Sequence, residues 1–103
     1  MSVLFKNIAI EEAQLLLAKG ATIVDIRDMS SYTAGHISEA MHLSDNNLTD
    51  FVQAHEFDKP LLVYCYHGNS SQPAAQYLAE QGFDHVYSLI GGYTAWCADT
   101  TKN

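Results

Sequence analysis

An α/β fold built on a mostly parallel sheet with helices on both faces is what this sequence predicts, and three features predict it. Short apolar runs alternate with helix-patterned segments along the chain, glycines and a proline punctuate them, and the clearest run, Leu61-Leu62-Val63-Tyr64, is apolar throughout. Alternation of this kind builds βαβ units, and a strand covered on both faces has no polar side to show.

Taken in order, Phe5 to Ile8 forms a short, weak strand candidate. Glu11 to Lys19 reads as a helix, with acidic residues in the first turn, Ala13, Leu16 and Leu17 on one face, and Gly20 as the stop. Thr22 to Asp25 is a buried strand, Ser30 to Ala34 a helical turn before Gly35, Ala40 to Leu43 a brief strand, and Leu48 to Ala54 a helix. Pro60 introduces the Leu61–Tyr64 strand, and a helix from about Ser70 to Gln81 follows, stopped by Gly82. Pro73 falls in its first turn, where a missing N–H is tolerated. Val86 to Leu89 is the last strand, Gly91-Gly92 a turn and Tyr93 to Cys97 a final helix. There is no internal repeat, linker or low-complexity tract, so residues 1–103 are expected to form one domain.

Composition narrows the function classes. With 48% hydrophobic and 17% charged residues the chain is ordinary globular protein. A net charge of −7 with five Lys and Arg argues against nucleic acid and anionic membranes, which reward clustered basic residues. No apolar run approaches the roughly 20 residues of a membrane span, and Met1 to Ile10 lacks the pattern of a secretory signal. Two cysteines, Cys65 and Cys97, are too few for a disulfide scaffold and sit in no metal-like spacing, so a cytoplasmic protein without metal or cofactor is expected.

The informative segment runs from Leu61 to Ser71: an apolar strand, a polar loop opening on Cys65, then a helix. Ligands of open parallel sheets bind beyond the carboxyl ends of the strands, where Cys65 stands. Gly68 and Asn69 tolerate unusual backbone angles, which lets successive N–H groups turn inward as a nest for an anion. The start of the next helix adds its positive dipole end. Such surroundings lower a thiol pKa. A cysteine ending a buried strand is often only a small core hydrophobe; the Gly/Asn/Ser loop directly after it favours a nucleophile instead.

The segment Cys65-Tyr66-His67-Gly68-Asn69-Ser70-Ser71 resembles the active loop of the rhodanese family of sulfurtransferases. Val24-Asp25-Ile26-Arg27-Asp28 resembles the family's Asp-x-Arg signature, Gly35-His36-Ile37 its Gly-His-Ile motif, and Gly91-Gly92-Tyr93-Thr94-Ala95-Trp96 its closing Gly-Gly-aromatic-x-x-Trp motif. The four occur in the family order and span most of the chain. The resemblance implies a three-layer α/β/α fold with a five-stranded, mainly parallel sheet and the cysteine strand central. It further implies double displacement: Cys65 takes the outer sulfur of thiosulfate as a persulfide and hands it to cyanide, a small thiol or a protein thiol such as a thioredoxin-like protein. Covalent catalysis splits one difficult transfer into two easier ones.

The loop departs from the family pattern where many members carry Arg after the cysteine, and some a further basic residue. Here stand Tyr66 and His67, with no Arg or Lys from Leu61 to Thr101. Donor binding is then expected to rest on the amides from Tyr66 to Ser71, including Gly68 and Asn69, on the Ser70 and Ser71 hydroxyls, and on His67. A cysteine phosphatase needs Arg six residues after the cysteine, and Ser71 stands there. Two other classes remain as rivals. A partner-docking domain that has lost catalysis would have no use for Cys65, and a redox thiol protein usually has a Cys-x-x-Cys pair, absent here. Arg27 is expected to hold a loop through Asp25 or carbonyl contacts, His36 to buttress a turn, and Tyr93, Trp96 and Cys97 to be structural.

Overall fold

The computed structural model describes residues 3–54 and 57–100; Met1, Ser2, His55, Glu56 and residues 101–103, which the one-domain expectation also spans, lie outside the described residues. Strands and helices alternate: β1 Phe5–Ile8, α1 Ile10–Ala18, β2 Thr22–Asp25, α2 Met29–Ala34, β3 Met41–His42, α3 Leu48–Ala54, β4 Leu61–Tyr64, α4 Ser71–Glu80, β5 Val86–Leu89 and α5 Gly92–Thr100. The sheet order is β1-β5-β4-β2-β3 and every pairing is parallel. The cysteine strand, β4, is therefore central, as the resemblance implied.

Strand periodicity divides the core into two layers. Leu61 and Val63 point to one face, where Phe51 of α3 and Ala75, Leu78 and Ala79 of α4 meet them with Val24 and Val86. Leu62 and Tyr64 point to the other, packed with Ile23, Leu89, Ala13 of α1 and, at its margin, Leu16, Leu17, Tyr93 and Trp96. All four residues of β4 are at most 1% exposed. Burying each apolar side chain contributes roughly 1.5–3 kcal/mol, which is why a run with no polar face becomes the middle strand.

The register sets what lies at the carboxyl end of the sheet. Asp25 pairs with Tyr64 across β2 and β4, and Val63 with Ser88 across β4 and β5. Asp25, Cys65 and Ser88 thus come from three adjacent strand ends. Among the described residues, no helix is long and apolar enough to cross a membrane.

The observed elements differ from the expected ones at their ends. The last helix continues past Cys97 to Thr100 because no glycine or proline stops it, and Gly92, expected in a turn, is its first residue. The 40–43 strand shrinks to Met41–His42. Helix α4 starts at Ser71 rather than Ser70. Gly68 has a φ of +90°, whereas Asn69 is not among the left-handed residues, so the loop uses one unusual position where two were expected.

Candidate active site

Cys65 follows directly on β4 and is 5% exposed. Its Sγ accepts the Gly68 N–H at 3.2 Å and the Ser71 N–H at 3.3 Å. The Ser71 hydroxyl lies 3.4 Å from the same sulfur and 2.8 Å from the hydroxyl of Ser88. Ser71 and Ser88 are fully buried. A hydroxyl has one proton to donate. With Ser88 donating to Ser71, the Ser71 proton is free for a Cys65 thiolate.

Burial pushes the Cys65 thiol up, but the Ser71 hydroxyl, the Ser71 and Gly68 N–H groups and that of His67 favour the thiolate and win, so its pKa lies below the ordinary value. A lowered pKa puts more thiolate at neutral pH. Alkylation of Cys65 by iodoacetamide is accordingly expected to inflect below the pH at which the same thiol titrates in the unfolded chain. Ser71→Ala removes one donor to a charged acceptor, worth about 1.5–3 kcal/mol, and should move the inflection up by about one pH unit or more. Rate against pH for both proteins is the check; coincident curves would remove Ser71 from the account.

The loop holds this shape because its carbonyls are gripped from outside. Tyr93 N–H donates to the Cys65 carbonyl at 2.8 Å and Thr94 N–H to the Tyr66 carbonyl at 3.0 Å. These are N-terminal amides of α5 that have no partner inside their own helix. The Tyr66 carbonyl is drawn outward, and the N–H of His67 in the same peptide is turned to the sulfur. Both approaches require glycine: a Cβ on Gly68 would lie 2.9 Å from Gly91 N, and one on Gly92 would lie 2.4 Å from the Cys65 carbonyl oxygen.

Beneath the loop, the Asp25 and Arg27 side chains form a buried pair, 0% and 3% exposed, closing at 2.7 Å. Arg27 Nε reaches both carboxylate oxygens at 3.1 Å, and Nη2 also donates to the Gly35 carbonyl at 2.6 Å. The Tyr64 hydroxyl donates to Asp25 at 2.7 Å and accepts the Ile37 N–H at 3.1 Å. Burial and the Asp25 carboxylate push the Tyr64 phenol well above its usual range, so it stays protonated. The guanidinium lies 4.1 Å from the centre of the Tyr93 ring. Three of the sequence motifs are thereby joined, and Arg27 holds the Gly35 turn as expected. Asp25→Asn leaves the guanidinium buried without its counter-charge, expected to cost about 3–5 kcal/mol. Thermal unfolding should then fall by ~12 °C or more for a domain of this size, with part of the loss recovered when Arg27→Leu is added.

A pocket of about 330 Å³ opens over the sulfur, walled by Cys65, Tyr66, His67, Asn69 and Ser70 on one side and Ile26, Arg27 and Asp28 on the other. Four of the six expected binding residues thus line it. The other two, Gly68 and Ser71, are buried and direct their N–H groups to the sulfur. Tyr66 is tied by its hydroxyl to Asp28 at 2.9 Å and also meets the Ser31 hydroxyl. His67 Nδ1 lies 3.2 Å from the Thr94 hydroxyl. His36 bonds the Tyr32 carbonyl at 2.8 Å and stacks on its ring, buttressing the end of α2.

Sequence reasoning missed Ser88, Ser31 and the site role of Asp28. The one readable signal was Ser88, a polar residue inside the apolar run Val86–Leu89. Asp28 caps α2 by accepting the Ser31 N–H at 3.0 Å. Hydrogen bonds from Ser30, Ser31 and Tyr66 hold its carboxyl far below the usual carboxylate range. No group of three or more His, Cys, Asp or Glu among the described residues is placed to hold a metal ion.

A central parallel strand ending on a cysteine that is ringed by inward amides defines a class, and the chain belongs to it: the rhodanese-like domain family, whose model matches residues 9–99. A Pseudomonas fluorescens protein named thiosulfate sulfurtransferase GlpE is 54% identical over 92 residues, covering 89% of this chain and 84% of the relative. One from Ectopseudomonas mendocina with the same name is 54% identical over 94 residues, covering 91% and 86%. Among solved structures, a rhodanese-like domain from Anabaena sp. superimposes with a TM-score of 0.70 at 36% identity, covering 78% of this chain and 93% of that one. The human single-domain sulfurtransferase TSTD1 shares the fold, with a TM-score of 0.79 over 89% and 95% at 21% identity.

Proposed function

We propose that this chain is a thiosulfate sulfurtransferase and that Cys65 carries the sulfur in transit. The Cys65 thiolate attacks the outer sulfur of thiosulfate; the S–S bond breaks with its electron pair leaving on sulfite, and Cys65 holds a persulfide. Cyanide or a thiolate then attacks the outer persulfide sulfur, and the pair of that S–S bond returns to Cys65. The sulfane sulfur itself carries the two oxidising equivalents from thiosulfate to the acceptor, so the exchange balances without an outside oxidant or reductant.

The observation that carries the role of Cys65 is the convergence of the Gly68 and Ser71 amides and the Ser71 hydroxyl on its sulfur. Fixed donors of this kind stabilise a developing negative charge without rearranging. Relatives at about half identity bear the name of the activity. Ser71, standing where a phosphatase has Arg, is buried against the sulfur, which speaks against phosphoryl chemistry. We assign Tyr66, His67, Asn69 and Ser70 to the pocket wall that meets the donor, and Gly68 and Ser71 to the cradle behind it. We further read residues 1–103 as one domain, acting in the cytoplasm, with small-molecule donors and with cyanide, small thiols or a thioredoxin-like protein as acceptors. Neither Cys65 nor Cys97 is in a disulfide, which agrees with a reducing compartment.

Thiocyanate formation from thiosulfate and cyanide tests the reading directly. Cys97→Ala should stay within a few-fold of the parent, since its side chain bonds that of Tyr93 on the same helix rather than the sulfur cradle. A parent that forms no thiocyanate overturns the function, and a Cys97→Ala variant that stalls after one turnover makes Cys97 a resolving thiol.

A further inference from the structure

The pocket over Cys65 is not the largest hollow in the molecule. A groove of about 770 Å³ runs alongside it, and the two share one wall, formed by Ile26, Arg27 and Asp28. The smaller pocket suits thiosulfate or cyanide, and neither needs the larger. Ligand sites for bodies of many atoms span roughly 300–1,000 Å³ and are mostly apolar with a few placed polar groups. The groove answers to that description. Its apolar lining comes from Leu43, Leu48, Ala74 and Tyr77, with Met29 at the mouth, 58% exposed.

Its charges are of one sign. Asp28 stands on the shared wall and Asp45 further along, both exposed. Asp28 is held ionised by its hydrogen bonds. The cation on the wall, Arg27, is already matched by Asp25. His42 also lines the groove, with Nε2 engaged at 2.6 Å by the Arg27 carbonyl. The whole chain adds a field of net charge −7. A carboxylate-bearing acceptor is repelled here, and a cationic one is drawn in.

We propose that this groove is the acceptor subsite, and that it takes a thiol with an apolar body and a cationic group in preference to an acidic thiol. The inference rests on the sulfurtransferase reading of Cys65 and names the acceptor class for it. The body lies along Leu43, Leu48 and Tyr77 with its cation towards Asp45, and the thiolate reaches across the shared wall to the persulfide. It attacks the outer sulfur; the S–S bond of Cys65 breaks, its electron pair returns to the Cys65 sulfur, and the acceptor leaves as a persulfide. Donor and acceptor bodies thus occupy different hollows around one sulfur.

The test uses the full chain, thiosulfate as donor, and two matched benzyl thiols, one carrying an aminomethyl group and one a carboxylate at the para position. Cyanide is the reference acceptor in every protein. The parent is expected to show a kcat/KM at least ten-fold higher for the cationic thiol than for the acidic one. Asp45→Lys, at an exposed position, should shrink that preference at least three-fold. Ala74→Leu, which fills the groove, should lower kcat/KM for both benzyl thiols relative to cyanide by ten-fold or more. Equal use of the two thiols by the parent overturns the inference, as does a preference that neither substitution moves. A parent inactive with cyanide as well would instead overturn the sulfurtransferase reading, and the inference with it.

Discussion

Cys65→Ser is expected to reduce sulfur transfer from thiosulfate by at least about 10³-fold, the scale on which loss of a nucleophile acting through a covalent intermediate is felt. Serine keeps nearly the same shape, so the cradle should survive. The Gly68 and Ser71 amides would then face a neutral hydroxyl instead of a thiolate. An alcohol is almost wholly protonated at neutral pH, and its oxygen is a poor partner for sulfane sulfur. Steady-state thiocyanate formation, with the circular dichroism spectrum unchanged, separates lost chemistry from lost fold. Retained turnover would show that the sulfur travels by another route.

The second large effect is expected at a residue with no functional atom of its own. Gly92 has a φ of +57°, and a Cβ there would sit 2.4 Å from the Cys65 carbonyl oxygen and 2.6 Å from the carbonyl carbon and oxygen of Tyr66. The left-handed backbone alone costs an alanine about 1–2 kcal/mol. The clash adds displacement, because the atoms struck are backbone and cannot swing away. They are also the carbonyls that the amides of Tyr93 and Thr94 hold, so the cradle moves with them. A shift of ~1 Å at a reacting centre can cost about 10²-fold in rate, and Gly92→Ala is expected to lose activity on that scale. Gly20→Ala is the matched control. Its φ is +94° with nothing within 4 Å of the added Cβ, so it bears backbone strain without a clash. It should unfold at a lower temperature yet keep its kcat/KM. Equal activity in the two variants would contradict the proposed grip of α5 on the loop.

Much of this was legible in the residues because the underlying signals are local. Apolar runs bounded by glycine and proline marked the strands, and the polar loop after Cys65 marked the sulfur as more than core. What escaped depends on partners distant in sequence. Asp28 and Tyr66 meet across 38 residues, Ser71 and Ser88 across 17. Gly92 is constrained by Cys65 and Tyr66, which no local pattern announces. Ser71 shows the same limit from the other side: its position six after the cysteine excluded one chemistry, but only the fold turned its hydroxyl to the sulfur. The end of α5 was misjudged for a simpler reason, since helices stop at breakers and none follows Cys97.

The central claim is that the sulfur in transit rests on Cys65. Incubating the protein with thiosulfate in the absence of acceptor, alkylating it and mapping its peptides by mass spectrometry reads this without any assay of turnover. The account predicts one added sulfur on the peptide that contains Cys65, removed when cyanide is supplied, and none on the peptide that contains Cys97. Added sulfur on Cys97 alone, or an unmodified chain that nonetheless forms thiocyanate, would contradict it.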